Sequence, residues 1–214
     1  MTGPALWART ASPIPVDAGQ PPDHVGVLIV GAGLAGLALA RMLADRGTHV
    51  AVVEARQIGA VTTGHTTGKL SLLQGDVYSR IRRFADDDTL RAYAEAQRAG
   101  QAWLREELAE VPHAIESATA VTFAETAHGA EAIEREMEAM RAAGVVPEVA
   151  PEGAEVSALP FAPRSALLLA DQSKLHATRV LGALAARLRD AGVRIVERCR
   201  VTGADVEEGG VRVT

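Results

Sequence analysis

Residues Val27 to Glu54, VLIVGAGLAGLALARMLADRGTHVAVVE, constrain this 214-residue chain more than any other stretch. An apolar run enters a Gly-x-Gly-x-x-Gly turn, a segment of helical period follows, and a second apolar run closes on an acid. That order predicts strand, helix, strand. Val27 to Val30 are aliphatic without alternation, as expected of a parallel strand buried on both faces. Each glycine has its own expected task. Gly31 permits the tight exit from the strand, Gly33 lets backbone approach a pyrophosphate with no Cβ in the way, and Gly36 lets the helix lie close on the sheet. Unpaired N–H groups at the helix start carry roughly half a unit of positive dipole charge and complement a diphosphate without a basic side chain. Within the stretch no lysine or arginine precedes Arg41. Glu54 stands 18 residues beyond Gly36, at the end of the second strand. An acid about 20 residues on is the group that binds adenosine ribose hydroxyls, and it would repel a 2′-phosphate. The alternative is a βαβ unit that holds no nucleotide. A membrane span is not expected, because the uncharged run Val25 to Ala40 covers 16 residues where about 20 are needed.

Composition narrows the partners. A net charge of -5 and a pI near 5.7 argue against nucleic acid or an anionic membrane as the main partner. Aromatic residues make up 3% of the chain, so stacking surfaces for bases are scarce. The single cysteine, Cys199, forms no internal disulfide and cannot supply a multi-thiolate metal or iron–sulfur site. A reducing cytoplasm is the simplest compartment, and no metal site is expected.

Residues 1–24 contain five prolines and no apolar core long enough for a secretory signal. They predict an extended arm, with Trp7 as the candidate anchor on the folded body and a mobile tail as the alternative. After Glu54 the sequence ARQIGAVTTGHTTGKLSLL sets Thr62, Thr63, Thr66 and Thr67 around Gly64, His65 and Gly68. This is a polar loop rich in hydroxyls and backbone donors, suited to line a cofactor or to be a surface turn.

Val27 to Glu54 followed by Gly59-Ala-Val-Thr-Thr-Gly-His-Thr-Thr-Gly-Lys69 resembles the FAD-dependent oxidoreductases of the glycine oxidase and D-amino-acid oxidase superfamily, above all members with a C-terminal Rieske iron–sulfur domain. The resemblance extends more weakly from Val25 to Thr214. It implies an α/β chain: a Rossmann-like βαβ fold with a parallel sheet, interrupted by an α+β substrate-domain insert. The implied parts are the arm at 1–24, a first FAD-binding part at 25–73, the insert at 74–170 and a second, incomplete FAD-binding part at 171–214. Gly31, Gly33, Leu34, Ala35 and Gly36 would meet the pyrophosphate, and Glu54 the ribose, with Ala55 and Arg56 flanking it. Thr62, Thr63, His65, Thr66, Thr67, Gly68 and Lys69 would run past the ribityl chain toward the isoalloxazine, and Val201 would pack on adenine. Some relatives bond a loop histidine covalently to the flavin. Those have a bulky aromatic where this chain has Gly64, so His65 is open to three roles: covalent link, noncovalent contact or plain loop residue. The implied activity is hydride transfer to flavin from a carbon bearing an amine or hydroxyl, in a small amine, amino acid or hydroxy acid. Oxygen, a quinone or an iron–sulfur partner would take the electrons. No catalytic base is assigned. The alternatives are an NAD-dependent dehydrogenase and a non-catalytic FAD-binding fragment.

Further on, Asp76 is the expected cap of a helix with Val77, Ile81 and Phe84 on its apolar face, and Asp88 that of a longer one ending before Pro112. Arg80, Arg82 and Arg83 read as a solvated face rather than an anion site. Val121–Phe123 and Val145–Val149 are expected strands, and 130–143 a helix stopped by Gly144. A strand, a turn with His176 and a helix with Val180, Leu181, Leu184 and Leu188 buried lead to a third parallel strand at 193–196, with Cys199 in strand beyond it. His176 is more readily a cap or loop residue than a functional one. The chain ends in an alternating strand at 211–214 with an open sheet edge, and no Cys-x-His pair occurs in it. An N-terminal fragment, or a chain completed by another polypeptide, is expected.

Overall fold

The computed structural model describes residues 5–15, 19–150, 152–153, 156 and 159–214. Pro4, one of the five prolines of the expected arm, lies outside the described residues. The chain forms two compact units, Met1–Gly68 with His176–Thr214, and Lys69–Leu175.

In the first unit, β1 (Val27–Val30), β2 (Val50–Val53) and β7 (Arg194–Val196) make a parallel sheet in the order β1-β2-β7. Helix α2 (Leu34–Ala44) connects β1 to β2, and α6 (Ala177–Asp190) leads into β7. The two helices pack on each other and on the sheet. All four residues of β2 are buried. In β1, however, Ile29 is buried while Val30 is 62% exposed, because β1 lies at the edge of the sheet and not in its middle. Val180, Leu181, Leu184 and Leu188 are the buried stripe of α6, and Gly192, at φ 78°, turns the chain out of it. The residues after β7 leave the sheet, so Cys199 and Val201 sit in irregular chain rather than strand. They lead to the hairpin β8 (Ala204–Glu207) and β9 (Gly210–Val213).

The second unit is built around β6 (Ser165–Leu175). It pairs antiparallel with β3 (Lys69–Leu70), β4 (Ile115–Ala124) and β5 (Glu148–Ala150). The β4–β6 register slips between Ala118 and Ala120, opposite Asp171, whose φ of 57° marks a bulge. Arg105 holds that bulge by donating to the Asp171 carbonyl and to Ser173 Oγ. Unit boundaries fall after Gly68 and Leu175 because Lys69 and Leu70 pair with Lys174 and Ser173.

Helices α3 (Val77–Arg82), α4 (Asp87–Glu107) and α5 (Ala127–Ala142) bury Leu90, Ala94, Ile133 and Met140 with Leu167 of β6. Two helix starts differ from expectation. The Asp76 side chain caps nothing; instead the buried Glu136 carboxylate of α5 accepts from the amides of Tyr78 (2.9 Å) and Ser79 (2.7 Å). In α4 the cap is Asp86, which accepts from Thr89 N, whereas Asp88 is inside the helix and pairs with Arg91. Hydrogen bonding from Thr89, its amide first, holds the Asp86 carboxyl below its usual range. Phe84 lies just beyond α3 and is 90% exposed, and Tyr78 is the buried aromatic of the helix. Arg80, Arg82 and Arg83 are exposed.

Among the described residues the enclosed Tyr78 hydroxyl has no hydrogen-bond partner, and burial raises its pKa to about 12. A raised folded-state pKa makes a contribution to stability that is complete below the unfolded value near 10 and is lost as pH rises toward 12. Y78F is therefore expected to unfold less steeply with alkali over that window. At neutral pH it should be equal to or up to about 1 kcal/mol more stable than the parent, since no bond is lost. Thermal unfolding across pH 8–12 checks both.

Candidate functional site

The turn from β1 to α2 is held by three local constraints. Gly31 takes φ 109°, a conformation open only to glycine at low cost. Gly36 lies so close to β1 that a Cβ on it would stand 1.9 Å from the Gly31 carbonyl oxygen. Glu54, at the end of β2, turns its carboxylate back to the turn: Oε2 accepts from Ala32 N at 2.9 Å, and Oε1 accepts from Arg56 N at 2.8 Å. Each oxygen retains a lone pair for a further donor.

Gly33 is different. Its φ of -83° and ψ of -176° suit any residue, and a Cβ there would meet Thr63 Oγ1 at 3.4 Å, an ordinary contact. Neither backbone strain nor packing asks for glycine at this position. A ligand close to the main chain would ask for it, and a diphosphate at the start of α2 would fit there. Of the amides at that start, Leu34 N donates to Thr63 Oγ1 at 3.2 Å. Among the described residues nothing accepts from Gly33, Ala35 or Gly36 N–H. A hydroxyl that sits on one amide is easily shared with or displaced by an anion, so the residues present fit the group.

The threonine-rich loop folds back onto this turn. Thr63–His65 form a single 3₁₀ turn preceded by Thr62 and followed by Thr66. Gly64 is required there, since a Cβ would lie 2.1 Å from the Gly59 carbonyl oxygen. His65 is exposed, and its Nδ1 stands 2.7 Å from the Val61 carbonyl, which can only accept, so Nδ1 carries a hydrogen in that contact. Thr66 Oγ1 accepts from Gly68 N. Thr62 and Thr67 are exposed, as is Arg56, while Ala55 is half-buried. Arg198 N and Cys199 N donate to the Arg56 and Glu54 carbonyls, which draws the segment before the half-buried Val201 alongside Glu54. Lys69 belongs to the second unit, where it is exposed and pairs in β3 with Lys174. Thus Gly31, Gly33, Leu34, Gly36, Glu54, Arg56 and Thr63 converge within the first unit.

Glu197 escapes a reading of the sequence, whereas Trp7 is the anchor the sequence offers for the arm. Glu197, just past β7 and 7% exposed, accepts from Ile58 N at 2.7 Å and so anchors the chain between Glu54 and the loop. Trp7 donates to the Thr66 carbonyl. For Glu197 the signal is an acid directly after an apolar strand, which mirrors Glu54. The turn of His176 is a cap: Nδ1 accepts from Arg179 N at the start of α6.

Residues 26–214 match the model of a family described as DAO, FAD dependent oxidoreductase, and the chain belongs to that family. It is 25% identical over 211 residues to the putative Rieske 2Fe-2S iron-sulfur protein YhfW of Bacillus subtilis (strain 168), which covers 96% of this chain and 40% of that protein. Among solved structures it is similar to L-amino acid deaminase from Proteus myxofaciens, with a TM-score of 0.68 and 18% identity over 94% of this chain and 44% of the other. It is also similar to glycine oxidase from Geobacillus kaustophilus, with a TM-score of 0.63 and 22% identity over 88% and 50%. The chain spans half or less of the length of each. The family's cofactor is FAD, and the mixed α/β fold with a parallel sheet is that of its structures.

G36A is expected to cost about 3 kcal/mol or more, because the new methyl overlaps backbone that cannot move away. Far-UV circular dichroism and thermal unfolding measure the loss.

Proposed function

We propose that the first unit holds FAD and that the chain is part of an enzyme that oxidises a small amine, amino acid or hydroxy acid. The observation that carries this reading is Gly33, a glycine that the protein's own geometry does not need at the start of a helix whose amides face outward. Gly31 to Gly36 would receive the diphosphate on N–H groups at the positive end of α2. Glu54, already fixed by two amides, would accept from the ribose hydroxyls without reorganising. Val201 and the 198–199 segment beside Glu54 would border the adenine. Thr62 to Gly68 would follow the ribityl chain and Lys69 would stand near the ring. When bound, FAD supplies the hydride acceptance, and the chain supplies binding, orientation and charge complementarity.

Amine or amino-acid substrates are favoured by the names of two similar structures, an amino acid deaminase and a glycine oxidase. The similarity to a Rieske protein favours an iron–sulfur electron acceptor over oxygen or a quinone. Among the described residues no helix is long and apolar enough to cross a membrane, and the lone thiol of Cys199 suits a reducing compartment. His65 is read as a noncovalent neighbour of the flavin: Gly64 is locked against Gly59, so the loop differs at the residue beside the histidine from relatives that form the bond.

Three results are expected. The purified chain binds FAD, and acid precipitation releases all of the yellow into the supernatant. G33A shifts the thermal midpoint by no more than about 4 °C yet raises the FAD Kd by about tenfold or more, as read by quenching of flavin fluorescence. Anaerobic mixing with amines, amino acids or hydroxy acids bleaches the flavin absorption; a chain that holds FAD but is bleached by none of these is a binding module instead.

A further inference from the structure

The described part of the N-terminal arm is laid down on the first unit at four points. Trp7, in the short helix α1 (Leu6–Arg9), donates its indole N–H to the Thr66 carbonyl at 2.7 Å. Its ring lies 5.1 Å from that of His176, tilted by 59°. Thr10 Oγ1 donates to the Leu6 carbonyl and sits 3.0 Å from His176 Nε2. Since His176 Nδ1 already accepts from Arg179 N, the proton is on Nε2 and is given to Thr10, so one tautomer satisfies both ends of the ring. Ile14 lies against α6 at Gly182, and Arg189 donates to the Pro15 carbonyl at 2.8 Å.

From this arrangement we propose that the arm is a strap that sets the conformation of the cofactor loop, with Trp7 as its positioning residue. This role rests on the proposed placement of Thr62 to Gly68 along FAD. A peptide group is planar and trans, so its carbonyl and the following N–H point in opposite directions. By holding the Thr66 carbonyl, Trp7 fixes the Thr67 N–H on the far side from the arm. Thr66 is followed by Thr67 and Gly68, the latter at φ 77°, so no regular ladder fixes that peptide plane. Among the described residues nothing accepts from Thr67 N. The indole thus prepares a backbone donor for an acceptor on the cofactor, and pre-paid ordering of a loop tightens binding.

The test is W7F in the 214-residue chain, which keeps an aromatic ring against His176 and removes the donor. Loss of one hydrogen bond of this kind is expected to raise the FAD Kd by about fivefold. Hydrogen exchange of the 62–68 amides in the cofactor-free chain should accelerate by a similar factor, with a midpoint change of no more than about 4 °C. Deletion of residues 1–15 should do at least as much on both counts. Unchanged FAD affinity in W7F overturns the proposal, even if the thermal midpoint falls. If the parent chain itself binds no FAD, the cofactor reading fails separately, and exchange still decides on the strap: faster exchange at 62–68 upholds it and unaltered exchange overturns it.

Discussion

The first unit depends on the approach of α2 to the end of β1, where the Gly36 backbone rests against the Gly31 carbonyl with no room for a methyl group. That contact fixes where α2 begins, and so where its free amides are. Glu54 reaches the same turn from the neighbouring strand and ties it through Ala32 N. The positive end of a helix, a bound carboxylate and an open glycine are thereby brought within one turn. Dipole and hydrogen bonds act together there, with no cationic side chain in the convergent cluster except Arg56 at its exposed margin.

The second unit meets a different demand. A six-residue helix, α3, must bury Tyr78 while its first amides are shut away from water. Glu136 meets this from another helix by accepting from two successive amides, so a buried carboxylate is satisfied by backbone donors instead of a counter-ion. Gln172 does similar work in β6: its Oε1 accepts from Leu72 N and its Nε2 donates to the Ala170 carbonyl, tying the chain after β3 to the central strand.

The nucleotide turn was legible because local rules govern it: glycine spacing, helix period and an acid at a fixed distance. Family membership bears out the FAD expectation, and the parallel sheet that of the fold class. What escaped depends on partners distant in sequence. Trp7 was legible as an anchor but its partner Thr66, 59 residues away, was not, and Glu197 and Ile58 are 139 apart. The exposure of Val30 follows from its strand lying at an edge, which its own residues do not encode. Caps were misplaced where acids cluster. Among Asp86, Asp87 and Asp88 only the extended backbone of Asp86, at ψ 170°, lets a side chain reach the amide three residues on. At Asp76 a remote carboxylate took the amides first. Substrate-contacting residues were not legible, since no fixed spacing marks them.

The pairing of Lys69 with Lys174 brings the chain's departure into the second unit and its return to within one inter-strand spacing, about 5 Å. A segment of more than a hundred residues is thus spliced into the first unit through neighbouring ends. Such a module can be exchanged, enlarged or reshaped in the course of descent while the host βαβ fold keeps its own loop lengths. Length and loops can then change in one unit while the other keeps the glycine turn between β1 and α2.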